Sequence, residues 1–307
     1  MGVLLTVAAI VVATAAGVAA ELRWRDRAAA IARAGLTGSV YTLLPFVIFF
    51  NVARLELDAD IGIGILLGYV AVGASAGLAW WAGRAMDLPR PTRGALITCA
   101  LIANTGYLGY PLTASLLGFD ALGEAVVWDL LIGGPCLLLF GFAVGAAFGD
   151  KAGETPRQRV RAFFTRNPPL YAAIAALVAP DSLAPDALVD ASRVAVVALL
   201  PIGFFAVGAI LAEEAEDGSL EIGNPLRPPV SIAIALRMIV APGLLFAMAA
   251  PLIDLPGPYL LLAAMPVGIN TLLVGHIYGL DLRLAAQAVA WSTAIAIAGA
   301  LASLAFG

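Results

Sequence analysis

An all-α membrane protein of many spans is the fold class this sequence predicts, on three observations. Of its 307 residues 62% are hydrophobic and 12% charged, and the mean hydropathy is +0.97. An ordinary soluble domain is about half apolar and about a quarter charged. The apolar residues fall into runs of roughly the twenty needed to cross a bilayer as helix, and the basic residues gather in every second gap between runs. A water-soluble domain would have nowhere to put so much apolar surface, and a disordered chain would carry far more charge. The net charge of −4 and the lack of a basic patch argue against a nucleic-acid partner. Cys99 and Cys136 both sit in apolar runs, and His276 is the lone histidine, so neither a disulfide framework nor a metal cluster is expected.

Ten spans follow in order, near 2–20, 32–53, 61–83, 94–117, 122–148, 168–186, 188–212, 229–252, 258–279 and 283–306. The charged run Glu21 to Arg27 ends the first, and Asp87-Leu88-Pro89-Arg90-Pro91 divides the third from the fourth. The small residues Ala15 to Ala20 resemble a cleavage site, but a secretory signal carries its positive charge ahead of the apolar run. Here Arg23, Arg25 and Arg27 follow it, which predicts a retained helix.

The basic residues sort by side. Arg23, Arg25, Arg27 and Arg33 follow span one, Arg84, Arg90 and Arg93 follow span three, and Lys151, Arg157, Arg159, Arg161 and Arg166 follow span five. Arg227 and Arg283 come after spans seven and nine. The opposite side holds Arg54 and Arg193 among acids such as Asp58, Asp60, Asp120, Asp181, Asp186 and Asp254. Cytoplasmic loops carry the excess of Lys and Arg, so both termini are expected outside the cytoplasm.

The halves repeat one another. Leu43-Leu44-Pro45-Phe46-Val47-Ile48-Phe49-Phe50 matches Leu199-Leu200-Pro201-Ile202-Gly203-Phe204-Phe205, each leading to acids, Leu55-Glu56-Leu57-Asp58 and Leu211-Ala212-Glu213-Glu214. Gly118-Phe119-Asp120 likewise matches Gly279-Leu280-Asp281. Five spans is an odd number, so repeats over 1–150 and 168–307, joined by a cytoplasmic linker 151–167, would enter the membrane in opposite senses. Inverted repeats of this kind put the substrate site where they meet, at Gly/Pro-interrupted spans in equivalent positions. Two such spans exist. Span four reads Ala103-Asn104-Thr105-Gly106-Tyr107-Leu108-Gly109-Tyr110-Pro111-Leu112, and span nine reads Ala264-Met265-Pro266-Val267-Gly268-Ile269-Asn270-Thr271. If both unwind and cross, the half-helix N-termini offer amides and positive partial charge to a carboxylate. Gly and Pro are also frequent in membrane helices simply as kinks and packing points; the symmetric placement favours the site.

At these residues the sequence resembles the auxin efflux carrier family of membrane transporters, which includes plant auxin carriers and bacterial malonate and malate permeases. The motifs are Leu44-Pro45 with Phe49-Phe50, Asn104-Thr105-Gly106 with Gly109, Pro111 and Leu112, Arg166-Asn167-Pro168-Pro169, Gly203 to Gly208, and Met265-Pro266 with Asn270. The resemblance implies ten helices in two inverted five-helix repeats, with crossed spans four and nine like those of sodium/proton antiporters and bile-acid symporters. It also implies a scaffold bundle, a homodimer formed through it, and an elevator-like movement of a transport bundle. By motif match Asn104, Pro111, Pro266 and Asn270 fall on the crossover. The loop from Asp150 to Arg166 is short, as in prokaryotic members, where plant members carry a long one.

The expected function is a secondary carrier, resident in the cell membrane, for a small organic anion, a dicarboxylate or auxin-like carboxylate. The candidate substrate residues are Asn51, Asn104, Thr105, Gly106, Pro111, Pro266, Asn270 and Thr271. Asn51 serves equally as a hydrogen bond between helices. Asp129, inside span five, is the candidate for coupling to protons, since ionisable groups within a span are functional by default; a structural hydrogen bond is the competing role. Glu124 lies nearer the surface. Arg237, early in span eight, is expected to snorkel to the cytoplasmic interface, and His276 to lie near the same face. No span holds adjacent carboxylates of the cation-antiporter kind, and no Gly-x-x-x-x-Gly-Lys-[Ser/Thr] motif supports an ATP-driven reading. The acids are scattered and no nucleophile–base pair is evident, so neither an enzyme nor a cofactor is expected. A sodium-coupled bile-acid-type symporter and a non-transporting sensor stay open as alternatives.

Overall fold

The computed structural model describes residues 3–55, 59–151, 157–158, 161, 165, 168–216 and 227–306. The acidic run 56–58, the Arg166-Asn167 pair and most of the linker 151–167 lie outside the described residues. The chain is a multi-pass helical membrane protein. Among the described residues seven helices are long and apolar enough to cross a bilayer: Leu4–Trp24, Ala30–Val52, Ala59–Ala85, Phe119–Phe148, Asp186–Glu213, Pro228–Ala249 and Leu282–Ala302.

The other three predicted spans are not continuous rods. In span four, α5 (Arg90–Leu101) stops and the chain resumes as a wide turn Thr105–Gly109 and α6 (Tyr110–Leu116). Span nine divides into α13 (Gly257–Ala263) and α14 (Asn270–Tyr278). The described part of span six is α9 (Pro168–Val178), and a 3-10 turn Asp181–Leu183 separates it from α10 (Asp186–Glu216). The sequence puts that boundary several residues later, because Leu183 and Ala184 continue the apolar run; Pro180 and Pro185 fix it instead.

The remaining helices are α1 (Val3–Trp24), α2 (Asp26–Gly38), α3 (Leu44–Val52), α4 (Ala59–Ala85), α7 (Leu122–Trp128), α8 (Phe142–Phe148), α11 (Pro228–Ala235), α12 (Ala241–Ala249) and α15 (Leu282–Phe306). Several join end to end through π turns, and proline sets where. The π turns Ser39–Leu43, Thr105–Gly109, Asp129–Gly133 and Leu236–Val240 each end two residues before Pro45, Pro111, Pro135 or Pro242. A helical proline has no amide to donate, and its ring clashes with the carbonyl four residues back. That carbonyl belongs in each case to the middle residue of the wide turn: Tyr41, Tyr107, Leu131 and Met238. Widening the turn relieves the clash, and the Leu131 carbonyl freed in this way accepts the Tyr69 hydroxyl. Pro201 sits inside α10 without such a turn.

Packing joins the two halves of the sequence. Helix α1 lies along α10, and α3 packs on both α9 and α10. The loops fall into the two sets that the charge pattern separates. In one set Arg54 pairs with Asp186 at 2.8 Å and donates to the Ala184 carbonyl, while Arg193 pairs with Asp120 at 2.7 Å. In the other, Thr92 donates to Asp281 at 2.8 Å, Arg90 to the Ala147 carbonyl, and the Lys151 ammonium to the His276 carbonyl at 3.3 Å. Large apolar side chains such as Leu4, Val12, Leu66, Val178 and Ile239 remain exposed on the outer faces, where lipid is their natural solvent.

Candidate functional site

The two breaks meet. Ala103 and Val267 form an isolated antiparallel bridge between otherwise helical segments. The Asn104 amide donates to the Pro266 carbonyl at 2.9 Å, and the Gly268 amide donates to the Ile102 carbonyl at 2.8 Å. An unmade backbone bond in hydrocarbon costs several kcal/mol, so each break supplies partners for the other. Two more bonds complete the set: the Val267 amide donates to the Ser292 hydroxyl at 3.1 Å, and the Asn104 carbonyl accepts from the Gly109 amide at 3.1 Å. Gly268 is required here by proximity, since a Cβ at that position would lie 2.7 Å from the Ala103 carbonyl oxygen.

The carbonyls on the entry side of both breaks converge on one cation. Arg237 is 2% exposed. Its Nη1 donates to the Ala100 carbonyl at 3.2 Å, Nη2 to Ala263 at 2.5 Å and Nε to Met265 at 3.3 Å. This corrects the expectation that the side chain snorkels to the interface. Burying a lone guanidinium costs several kcal/mol, and bonds from a charged donor return about 1.5–3 kcal/mol each. Three carbonyls that helix breaks have freed are therefore enough to hold it inside. The Ser75 hydroxyl secures the neighbouring Leu236 carbonyl at 3.2 Å.

On the exit side of the first break lies the acid. Thr105 Oγ1 donates to Asp129 Oδ1, and the Tyr110 hydroxyl donates to Asp129 Oδ2 at 2.9 Å. Gly106 faces the same carboxylate: a Cβ there would stand 3.8 Å from Oδ2. Thr105 and Tyr110 are buried, and Asp129 is half-buried. Pro111 is buried at the start of α6, with its carbonyl accepting from Ser115 Oγ at 2.7 Å. On the exit side of the second break, Asn270 opens α14 half-buried and Thr271 is wholly buried. The Thr271 hydroxyl has no hydrogen-bond partner among the described residues. A buried hydroxyl left in that state costs about 1–3 kcal/mol and calls for an explanation.

Of the residues named from sequence, the structure thus brings Asn104, Thr105, Gly106, Pro266 and Asp129 together around the breaks, with Pro111, Asn270 and Thr271 on the helices leaving them. Asn51 is not joined to this group by any hydrogen bond. It donates to the Val47 carbonyl at 2.8 Å and to Ser192 Oγ at 3.2 Å, linking α3 to α10. His276 is exposed and Glu124 half-buried.

Sequence reasoning missed Arg237 and Tyr107. The Tyr107 ring lies against Gly203 of α10, where an added Cβ would meet ring atoms at 2.5–2.6 Å. Its hydroxyl stands 3.3 Å from that of Ser39. Tyr107 therefore touches the proline-bearing segment 199–205 and the start of the wide turn Ser39–Leu43 that leads into its counterpart. A signal for these residues existed. Ser39, Thr105, Tyr107, Asp129 and Arg237 all lie in the wide turns that precede prolines, and π turns recur at functional positions.

Two comparisons bear on what this site belongs to. Residues 160–301 match the family model described as membrane transport protein. An uncharacterised transporter of Methanocaldococcus jannaschii is 26% identical over 275 residues, a stretch covering 84% of this chain and 84% of the relative. The second half of the chain is thus similar to the membrane transport protein family, and most of its length is similar to an uncharacterised transporter.

Proposed function

We propose that this protein is a secondary active carrier of a small organic anion, a dicarboxylate or an auxin-like carboxylate, bound where the two breaks pair. The observation that carries the reading is the antiparallel contact of residues 102–104 with 266–268, because it joins at one point of opened backbone the two breaks that lead into the helix starts at Thr105 and at Asn270. Helix starts carry positive partial charge, which suits a carboxylate. The unpartnered Thr271 hydroxyl supports the same reading, since a bound oxygen would satisfy it.

On this reading the chain makes ten passes as two inverted five-helix repeats, with the basic loop set and the linker 151–167 in the cytoplasm and both termini outside. Alternating access comes from movement of the paired breaks against the α1–α10 pair, an elevator-type cycle, and two copies associate through the latter. Asp129 carries the coupling proton. As a carboxylate it accepts from Thr105 and Tyr110; once protonated it has one oxygen fewer to offer them, so proton binding alters the helix start at Thr105 directly.

Uptake of labelled organic acids into liposomes containing the purified protein tests this. Accumulation driven by a pH gradient, and lost in Asn104→Ala and Asn270→Ala at unchanged melting temperature, supports it. Wild-type uptake in both variants removes the site, and uptake that requires sodium instead favours a bile-acid-type symporter. If no organic acid accumulates under any ion gradient, the non-transporting sensor gains.

A further inference from the structure

Arg237 supplies the charge that makes the paired breaks an anion site. Its three acceptors are the carbonyls of Ala100, Ala263 and Met265. The first is in the last turn of α5, the second is the final residue of α13, and the third follows in the break itself. A helix C-terminus carries about half an elementary negative charge. Two of them therefore bring roughly one negative charge to the point where the breaks meet, on the entry side. No carboxylate lies within ion-pairing distance of Arg237 among the described residues, so its positive charge is spent on those carbonyl ends and not on an acid. Without the guanidinium, a carboxylate at the helix starts of Thr105 and Asn270 would face the negative ends of the preceding half-helices.

We infer that Arg237 is a positioning residue that neutralises both half-helix C-termini, and so sets how strongly the site prefers a doubly over a singly charged anion. The inference rests on the organic-anion reading and adds the source of its charge selectivity. A purely structural cap predicts that its loss weakens all ligands by a common factor. Charge neutralisation predicts a loss that grows with ligand charge, because Coulomb energy doubles between a monoanion and a dianion.

The test uses two ligand pairs of matched skeleton at pH 7.5: malonate with monomethyl malonate, and phthalate with monomethyl phthalate. Affinities are measured on the full-length, detergent-purified protein. In Arg237→Gln the monoanion weakens by about tenfold and the dianion by about a hundredfold. Arg237→Lys loses part of the three-carbonyl geometry but keeps the charge, so its melting temperature falls while the dianion-to-monoanion ratio stays within about twofold of wild type. Equal losses for both charges in Arg237→Gln overturn the inference and leave the anion site standing. So does a collapsed ratio in Arg237→Lys, which decides the matter alone if the glutamine variant does not fold. If the wild-type protein binds none of the four probes, the organic-anion reading falls and this inference falls with it.

Discussion

The two breaks pair with one another but are built differently. The first spans three residues, 102–104, and leads into a wide turn whose Thr105 is tied to Asp129. The second spans six, 264–269, contains Pro266, and leads into an ordinary helix start with no acid and an unpartnered hydroxyl at Thr271. One exit is already occupied by a carboxylate of the protein; the other has polar capacity to spare. An exact symmetry would have given two acids or none. On the proposed carrier reading, the difference separates the two tasks of coupling, with the proton held beside the first break and room for an external oxygen beside the second.

The largest effect that would break this comparison is at the contact both sides share. Gly268→Val sets side-chain atoms against the Ala103 carbonyl and should separate the breaks, abolishing uptake and lowering the melting temperature by about 3–5 degrees, on the order of 2–3 kcal/mol of strain. Normal uptake in that variant would show that the pairing is dispensable.

Next is the acid. Asp129→Asn should leave anion binding within about threefold while flattening the dependence of uptake on the pH gradient, because the amide keeps two acceptor lone pairs but cannot exchange a proton. An unchanged pH profile would return Asp129 to a structural role. Thr271→Val sharpens the contrast from the other side. Replacing an unsatisfied hydroxyl by a methyl of the same shape should stabilise the empty protein by about 1 kcal/mol, a few degrees, while weakening anion binding. Stability and affinity falling together would place the hydroxyl in the packing alone. The smallest effect is expected from Tyr110→Phe, which removes one of two donors to Asp129 and should shift the pH profile of uptake without lowering its maximum by more than about threefold.

Much of this was legible in the sequence. Pro, Gly, Asn and Thr in the middle of two apolar runs mark both breaks, because each residue type either removes a backbone bond or substitutes for one. The sorting of loops was legible too, and the structure groups the same loops. The partners of the site were not. Asp129 meets Thr105 and Tyr110 across 24 and 19 residues, and Arg237 meets Ala100 across 137. Such pairings depend on which helices become neighbours, which hydropathy does not encode. Arg237 was misjudged for a further reason. A lone arginine near the end of a span normally reaches for water, and only the carbonyls exposed by two distant breaks make the interior competitive.

The seating of Tyr107 has a consequence for motion. Its ring rests on α10 where Gly203 leaves no side chain, while its hydroxyl neighbours Ser39. On the proposed elevator reading, travel of the broken span past α10 first lifts this ring from its notch, which acts as a catch. A branched residue at 203 would fill the notch beforehand, and a carrier so altered would still bind its cargo yet be unable to latch in the orientation described.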